Sequence, residues 1–271
     1  MNNIAMFVTD LDGTLLNTDK KISDSDILAI RRFTEIGGIF TVATGRTEDT
    51  CRLATDLLPI NAPVILYNGA TVIDLVTKEI LYRRTLWAND YRPLLREIMT
   101  RYPDVCIELF AFGPLMLVNP NAVMDPYIQH ERQPYSKTSL EDTPEEWLKI
   151  MFSATHDRLI EVQAFVEARC STLPDCTRFF SADYYYEIVD VGCSKGECVR
   201  FLAQRFGISQ AQTAAIGDHL NDLEMLRWCR HSFAPANAHP VVKKTAHVLT
   251  ASSDCSAVAE ALAYLSKNTC S

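Results

Sequence analysis

No stretch of the 271-residue chain approaches the roughly eighteen consecutive apolar residues that cross a bilayer. The first apolar run, Ile4 to Val8, is interrupted at Asp10 and is too short for the core of a secretory signal. A membrane protein is therefore not expected, and a cytoplasmic location is. Cysteine occurs nine times but never as a CxxC pair, and no cysteine stands at zinc-like spacing from any of the six histidines. An odd number of scattered cysteines argues for free thiols in a reducing compartment rather than a disulfide framework. Positive charge is in short supply: 26 Lys and Arg face 34 Asp and Glu, for a formal net charge of −8. With a pI near 5.3 and no basic block, non-specific nucleic-acid binding is excluded. Internal repeats and low-complexity segments are also missing. What remains is ordinary globular composition, 48% hydrophobic and 22% charged, in a length that suits one large domain or two.

Within that composition, Ile4 to Leu16 stands out. Ile4–Ala5–Met6–Phe7–Val8 runs into Asp10, Asp12, Gly13 and Thr14. This reads as a buried strand stopped by a polar turn. Two carboxylates at the end of a buried strand are costly unless they are paired or ligate a metal. The carboxyl end of a strand in an open α/β sheet is also where ligands bind. The competing reading is an acidic turn after an edge strand, with Asp–Gly as turn chemistry.

The following segments repeat the same grammar. Ser23 caps a helix with an apolar face at Ile27, Ile30, Phe33 and Ile36, and Gly37–Gly38 stop it. A strand at Ile39–Ala43 ends in Thr44–Gly45–Arg46, and a helix runs from Thr47 to about Leu58. A third strand, Pro63–Tyr67, ends in Asn68–Gly69. These alternations predict a doubly wound parallel sheet. From Thr71 the pattern turns to hairpins, and residues 83–187 read as an inserted α+β domain. Its elements are helices near Asn89–Arg101, Ala122–Arg132 and Arg158–Cys170, with strands at Val105–Phe112, Leu115–Val118, Trp147–Ser153, Thr177–Ser181 and Tyr184–Val189. The core grammar returns with a helix opening at Ser194–Lys195–Gly196 and a strand at Thr213–Ile216 that ends in Gly217–Asp218. Further units follow to the last helix, from Ser256. The expected division is a Rossmann-like core of 1–82 and 188–271 interrupted by one insert.

Three strand ends thus carry Asp10 with Asp12, then Thr44, then Asp218 with Asp222, and Lys195 opens a helix. Carboxylate oxygens without histidine suit Mg²⁺. A hydroxyl, a lysine and exposed backbone amides beside them suit a phosphate. A carboxylate is a competent nucleophile toward phosphorus, and a second acid two residues on can move the proton. Arg46, next to Thr44–Gly45, is expected at the pocket mouth. Asn68–Gly69 reads most simply as a turn, with a substrate contact as the alternative, and His219 as a loop residue whose backbone frames the site.

The sequences DLDGT, the threonine of ATGR, SKG and GDxxND, in this order, resemble the four motifs of haloacid dehalogenase-like phosphatases. The insert between the second and third is similar to that of the Cof-type, type IIB cap, sugar-phosphatase branch. The resemblance implies a Mg²⁺-dependent phosphatase of small phosphate esters, sugar phosphates first, with the insert as a lid. It implies Asp10 as nucleophile and metal ligand, and Asp12 as general acid/base lending its carbonyl to the metal. Thr44, with backbone amides near Leu11 and Gly45, would bind the phosphoryl group. Lys195 would neutralise it and keep Asp10 ionised, Asp218 would be the second metal carboxylate, Asp222 would orient the shell, and Asn221 would reach the phosphate. Beside Mg²⁺ and Lys195, Asp10 is then expected with a lowered pKa, and Asp12, pointed at an apolar or anionic leaving group, with a raised one. Two rivals share the constellation: a phosphotransferase or mutase, and a non-enzymatic receiver-like phospho-acceptor. The chain departs from the branch at His219, at Ala234–Ala238 without its glycine, and at Ser253–Ser256 without Asp–Gly. No motif bears on the oligomeric state.

Overall fold

Strand β1 (Met6–Thr9) is buried at every residue because both of its faces pack. Met6 and Val8 enter a cluster with Cys198, Val199 and Leu202. Phe7 points the other way, toward the rings of Phe33, Phe40 and Phe233. Each such buried side chain contributes about 1.5–3 kcal/mol, which is why a run this short suffices to place a strand at the centre.

The computed structural model describes residues 4–121 and 134–268. The helix expected near Ala122–Arg132 lies outside the described residues. The chain divides into two compact units, Met1–Tyr82 with Ser194–Ser271, and Arg83–Cys193.

In the first unit β1 lies beside β2 (Ile39–Val42) and β3 (Thr213–Ile216), followed by β4 (His231–Pro235) and β5 (Val248–Thr250). The order is β5-β4-β3-β1-β2, and every pairing is parallel. The chain goes from β1 to one side and later returns on the other, so the winding reverses between β1 and β3, where open α/β sheets place their ligands. Register completes the placement. Thr9 is level with both Val42 and Ile216, so Asp10, Ala43 and Gly217 leave the sheet side by side. A bridge between Ala43 and Ile65 attaches a three-stranded hairpin sheet made from Val64–Leu66, Thr71–Ile73 and Ile80–Arg83.

The caps read from the sequence are present. Helix α1 (Asp24–Glu35) begins at Ser23, whose Oγ accepts from the Asp26 N–H at 3.1 Å, and Gly37 follows it at φ +91°. The buried Asp26 carboxylate reaches back to the cap's side chain, accepting from the Ser23 hydroxyl, and also accepts from the Ala259 N–H, both at 2.7 Å. Helix α2 (Glu48–Thr55) ends before the expected Leu58. Helix α3 (Lys195–Arg205) is capped by Ser194, which accepts from the Glu197 N–H.

The inserted unit is built on a six-stranded sheet. Its order is Cys176–Ala182, Tyr185–Asp190, Lys149–Ser153, Cys106–Phe110, Leu115–Val118 and Tyr135–Lys137. All its pairings are antiparallel except the last. Helices Ala88–Arg101 and His156–Glu167 share one core with it, as Leu95, Ile98 and Val162 pack with Ile107, Ile150 and Tyr186. Because Tyr185–Asp190 pairs inside this sheet, the unit runs to Cys193, past the residue 187 read from the sequence. The expected strand Trp147–Ser153 is two: Glu146–Trp147 pairs with Leu86–Trp87, and Lys149–Ser153 enters the main sheet. Among the described residues, no helix is long and apolar enough to cross a membrane.

Candidate active site

The parallel register brings the sequence-predicted residues to one edge of the core sheet. Asp10, just beyond β1, is 6% exposed, and its backbone N–H donates to the Ile216 carbonyl at 3.0 Å. Lys195, at the first turn of α3, is 1% exposed. Its Nζ donates to Asp10 Oδ1 at 2.6 Å and to Asp222 Oδ1 at 2.7 Å. The second oxygen of Asp222 accepts from the N–H groups of Asp218 and His219 at 2.9 and 3.0 Å. Both oxygens of Asp222 are therefore engaged. Asp218 Oδ1 accepts from the Thr14 hydroxyl at 3.0 Å. Asp10, Asp218 and Asp222 each offer one carboxylate oxygen within 4.8 Å of the others. This donor set is all oxygen, as Mg²⁺ prefers. Asp10 and Asp218 retain an oxygen without a protein partner among the described residues, so these two fit a metal and Asp222 fits the orienting role.

Two backbone devices hold this cluster together. Gly13 has φ +77°, and a Cβ there would stand 2.5 Å from Asp218 Oδ2. Only glycine lets the DLDGT turn close over Asp218. Asn237 donates to the Gly13 carbonyl at 2.7 Å, and its Oδ1 accepts from the Ser253 N–H at 2.9 Å. The two atypical segments near 237 and 253 are thus tied to the back of the same turn.

Thr44, Gly45 and Arg46 leave β2 beside this cluster. Thr44 is buried, and its Oγ1 accepts from the Arg46 N–H at 3.1 Å. The N–H groups of Leu11 and Gly45 donate to no protein group among the described residues. Asn221 does not stand free: its Nδ2 donates to Asn68 Oδ1 at 2.9 Å. Arg46 forms a bidentate ion pair with Asp12, at 2.7 and 2.8 Å, and Lys20 adds a contact to the same carboxylate at 2.7 Å.

The protein's own groups shift the two DxD carboxylates in opposite senses. Burial pushes the Asp10 pKa up, and the neighbouring Asp222 and Asp218 carboxylates push it further, outweighing Lys195. Asp12 is also partly desolvated, but Arg46 and Lys20 outweigh that and hold it down to about 2. Asp218 is likewise raised, by burial first and then by Asp222. Burial works against the charge on Lys195, yet Asp10 and Asp222 overcome it and keep the ammonium protonated. The expected lowering of the Asp10 pKa counted Mg²⁺ beside Lys195; the carboxylates packed around Asp10 are what the metal's charge has to offset.

A model of the haloacid dehalogenase-like hydrolase family matches residues 7–262. The chain belongs to the haloacid dehalogenase-like hydrolases. Within them it falls in the Cof-type branch, and it is an enzyme of the phosphoric monoester hydrolase kind. The hydrolase is 31% identical to the HMP-PP phosphatase of Cronobacter sakazakii, over 85% of this chain and 84% of that one. It is 26% identical to the 5-amino-6-(5-phospho-D-ribitylamino)uracil phosphatase YcsE of Bacillus subtilis, over 97% and 96%. A solved haloacid dehalogenase-like hydrolase from Bacteroides thetaiotaomicron shares its fold with a TM-score of 0.86 and 28% identity, covering 97% of this chain and 100% of that one.

The sequence assigns no role to Thr14, which lies in DLDGT, or to Lys20, which carries no local signature; Asn68 reads as a turn or a substrate contact, and Asn237 lies in the atypical 234–238 segment. His219 lends its N–H to Asp222 and stacks edge-on with His239 at 5.9 Å, in keeping with a framing residue.

Proposed function

We propose that this hydrolase is a Mg²⁺-dependent phosphatase of small phosphorylated metabolites, sugar phosphates first, working through a phosphoryl group carried on Asp10. The observation that supports it most is the asymmetry of Asp10: one oxygen is held by buried Lys195, while the other has no protein partner among the described residues. Asp10 and Asp218, with the Asp12 carbonyl, would hold the magnesium ion, which neutralises phosphoryl and carboxylate charge when bound. The free Asp10 oxygen attacks phosphorus, the phosphorus–ester oxygen bond breaks, and the leaving oxygen takes a proton from Asp12. Water then attacks the phospho-aspartate, giving its proton to Asp12, and phosphate leaves. Thr44 and the Leu11 and Gly45 amides hold the phosphoryl oxygens, and Lys195 balances their charge. Lys20 and Arg46 keep Asp12 ionised in the resting site, so the proton it passes to the leaving oxygen is one it first takes up from the monoprotonated phosphate ester, and the water step returns one to it. Leaving-group selection is assigned to the inserted unit Arg83–Cys193. The names of the relatives widen the substrate class to phosphorylated compounds bearing a pyrimidine ring. The free thiols of the described cysteines suit the cytoplasm.

The test is phosphate release from sugar phosphates, phosphorylated pyrimidine compounds and an aryl phosphate, with and without Mg²⁺, by the parent and by Asp10→Asn. Turnover that requires both the metal and Asp10 is expected. Release only when an acceptor sugar is supplied would favour the mutase reading, and turnover by Asp10→Asn would refute the nucleophile.

A further inference from the structure

At the end of strand Val64–Leu66 the chain makes a turn that its own residues resist. Tyr67, Asn68 and Gly69 take φ values of 52°, 58° and 97° in succession. Asparagine tolerates the left-handed region, but a bulky tyrosine seldom enters it. Such conformations persist only where their surroundings impose them, and they gather at functional sites. Here the surroundings are the candidate active site. The Tyr67 N–H donates to the Arg46 carbonyl at 3.2 Å and the Asn68 N–H to the Thr44 carbonyl at 3.0 Å. The Cys198 thiol reaches the Gly69 carbonyl, and a Cβ on Gly69 would lie 2.3 Å from the Ser194 carbonyl oxygen, directly before Lys195. The Asn68 side chain is 6% exposed; its Oδ1 accepts from Asn221 and lies against Gly45, whose Cβ, were there one, would stand 3.0 Å away. One strained turn therefore touches the Thr44–Arg46 loop, the start of α3 and the loop after β3.

The pair it forms with Asn221 is incomplete. Asn221 Oδ1 is buried and has no partner among the described residues. A buried acceptor left unpaired is costly and calls for a reason. With its Nδ2 spent on Asn68, Asn221 keeps that acceptor for a hydroxyl or water that arrives with the phosphate ester.

We propose that Asn68 is a positioning residue of the phosphoryl-transfer site: it fixes the Asn221 amide, and the strained turn is retained to do so. The proposal rests on the phosphatase reading above. Asn68→Gly isolates it, because glycine accepts φ +58° freely and only the side chain is lost. We expect kcat/KM for an aryl phosphate to fall about tenfold or more in Asn68→Gly, as when a binding group is misplaced. The melting temperature should not fall with it. In an Asn221→Ala background the same change should cost less than about twofold, because residues acting through one another are non-additive. Activity of Asn68→Gly equal to the parent's, or a loss that adds in full to that of Asn221→Ala, would overturn the proposal. Calorimetric binding of inorganic phosphate with Mg²⁺ reports the same cycle without turnover. It separates this proposal from a failure of the nucleophile assignment, which Asp10→Asn tests: weaker phosphate binding in Asn68→Gly but not in the Asn221→Ala background supports the positioning role, and unchanged binding refutes it.

Discussion

Lys195→Met is the perturbation whose consequences the geometry determines most closely. The Lys195 ammonium is 1% exposed and lies between Asp10 and Asp222, whose side chains are 8% and 0% exposed. Methionine fills a similar volume but leaves two buried carboxylates without their cation. Removing one partner of a buried pair costs about 3–5 kcal/mol, which is about 6–10 °C of melting temperature at about 2 °C per kcal/mol for a chain of this size. Asp222 keeps its two backbone donors, so most of the penalty falls on Asp10. The sign with pH follows from Asp10. Its pKa is already raised by burial in the parent, and losing Lys195 raises it further. A carboxylate with a raised folded pKa takes up a proton on folding, so its ionisation draws stability away as pH rises from the unfolded value, about 4, toward the folded one. The gap in melting temperature between parent and variant should widen as pH rises above the unfolded value of about 4, without divalent metal. Differential scanning calorimetry across that range is the assay. A variant as stable as the parent at the alkaline end, or a gap that widens toward acid, would refute the account of this buried pair.

Two further predictions concern backbone closure and the inserted unit. Gly13→Ala places a methyl 2.5 Å from Asp218 Oδ2 at φ +77°; we expect about 1–2 kcal/mol of lost stability from the left-handed backbone and a loss of about a hundredfold in kcat/KM from the displaced carboxylate. Calorimetry and steady-state kinetics check the two parts, and full activity would show that the position of Asp218 is immaterial. In the inserted unit, Lys149 and Glu187 form a buried ion pair at 3.1 Å, with the ammonium 4.4 Å from the centre of the Phe110 ring. Lys149→Met alone should cost about 3–5 kcal/mol in denaturant unfolding, and Lys149→Met with Glu187→Leu should recover most of it; equal losses in the single and double variants would contradict that reasoning.

Much of the core was legible because its signals are local. A capping serine at 23, a glycine at 37 and an apolar run that stops at Asp10 each act within a turn of chain, and short strand–helix–strand links favour a parallel sheet. The motif residues were legible for the same reason, since each sits at a strand end or at the first turn of a helix. The insert was harder to divide, because whether Glu146–Trp147 continues Lys149–Ser153 depends on which strand lies opposite.

The sequence by itself determined the core strands, the caps at Ser23 and Ser194 and the parallel sheet, and it singled out Asp10, Thr44, Lys195 and Asp218 as candidates. Only the tertiary structure decided what those groups meet. Thr14 finds Asp218 across 204 positions, Arg46 and Lys20 converge on Asp12, and Asn221 closes on Asn68 across 153. The balance of charges around Asp10 and Asp12 belongs to this second class. A pKa is set by every charge within a few ångströms and by the water excluded around it, and spacing along the chain carries neither.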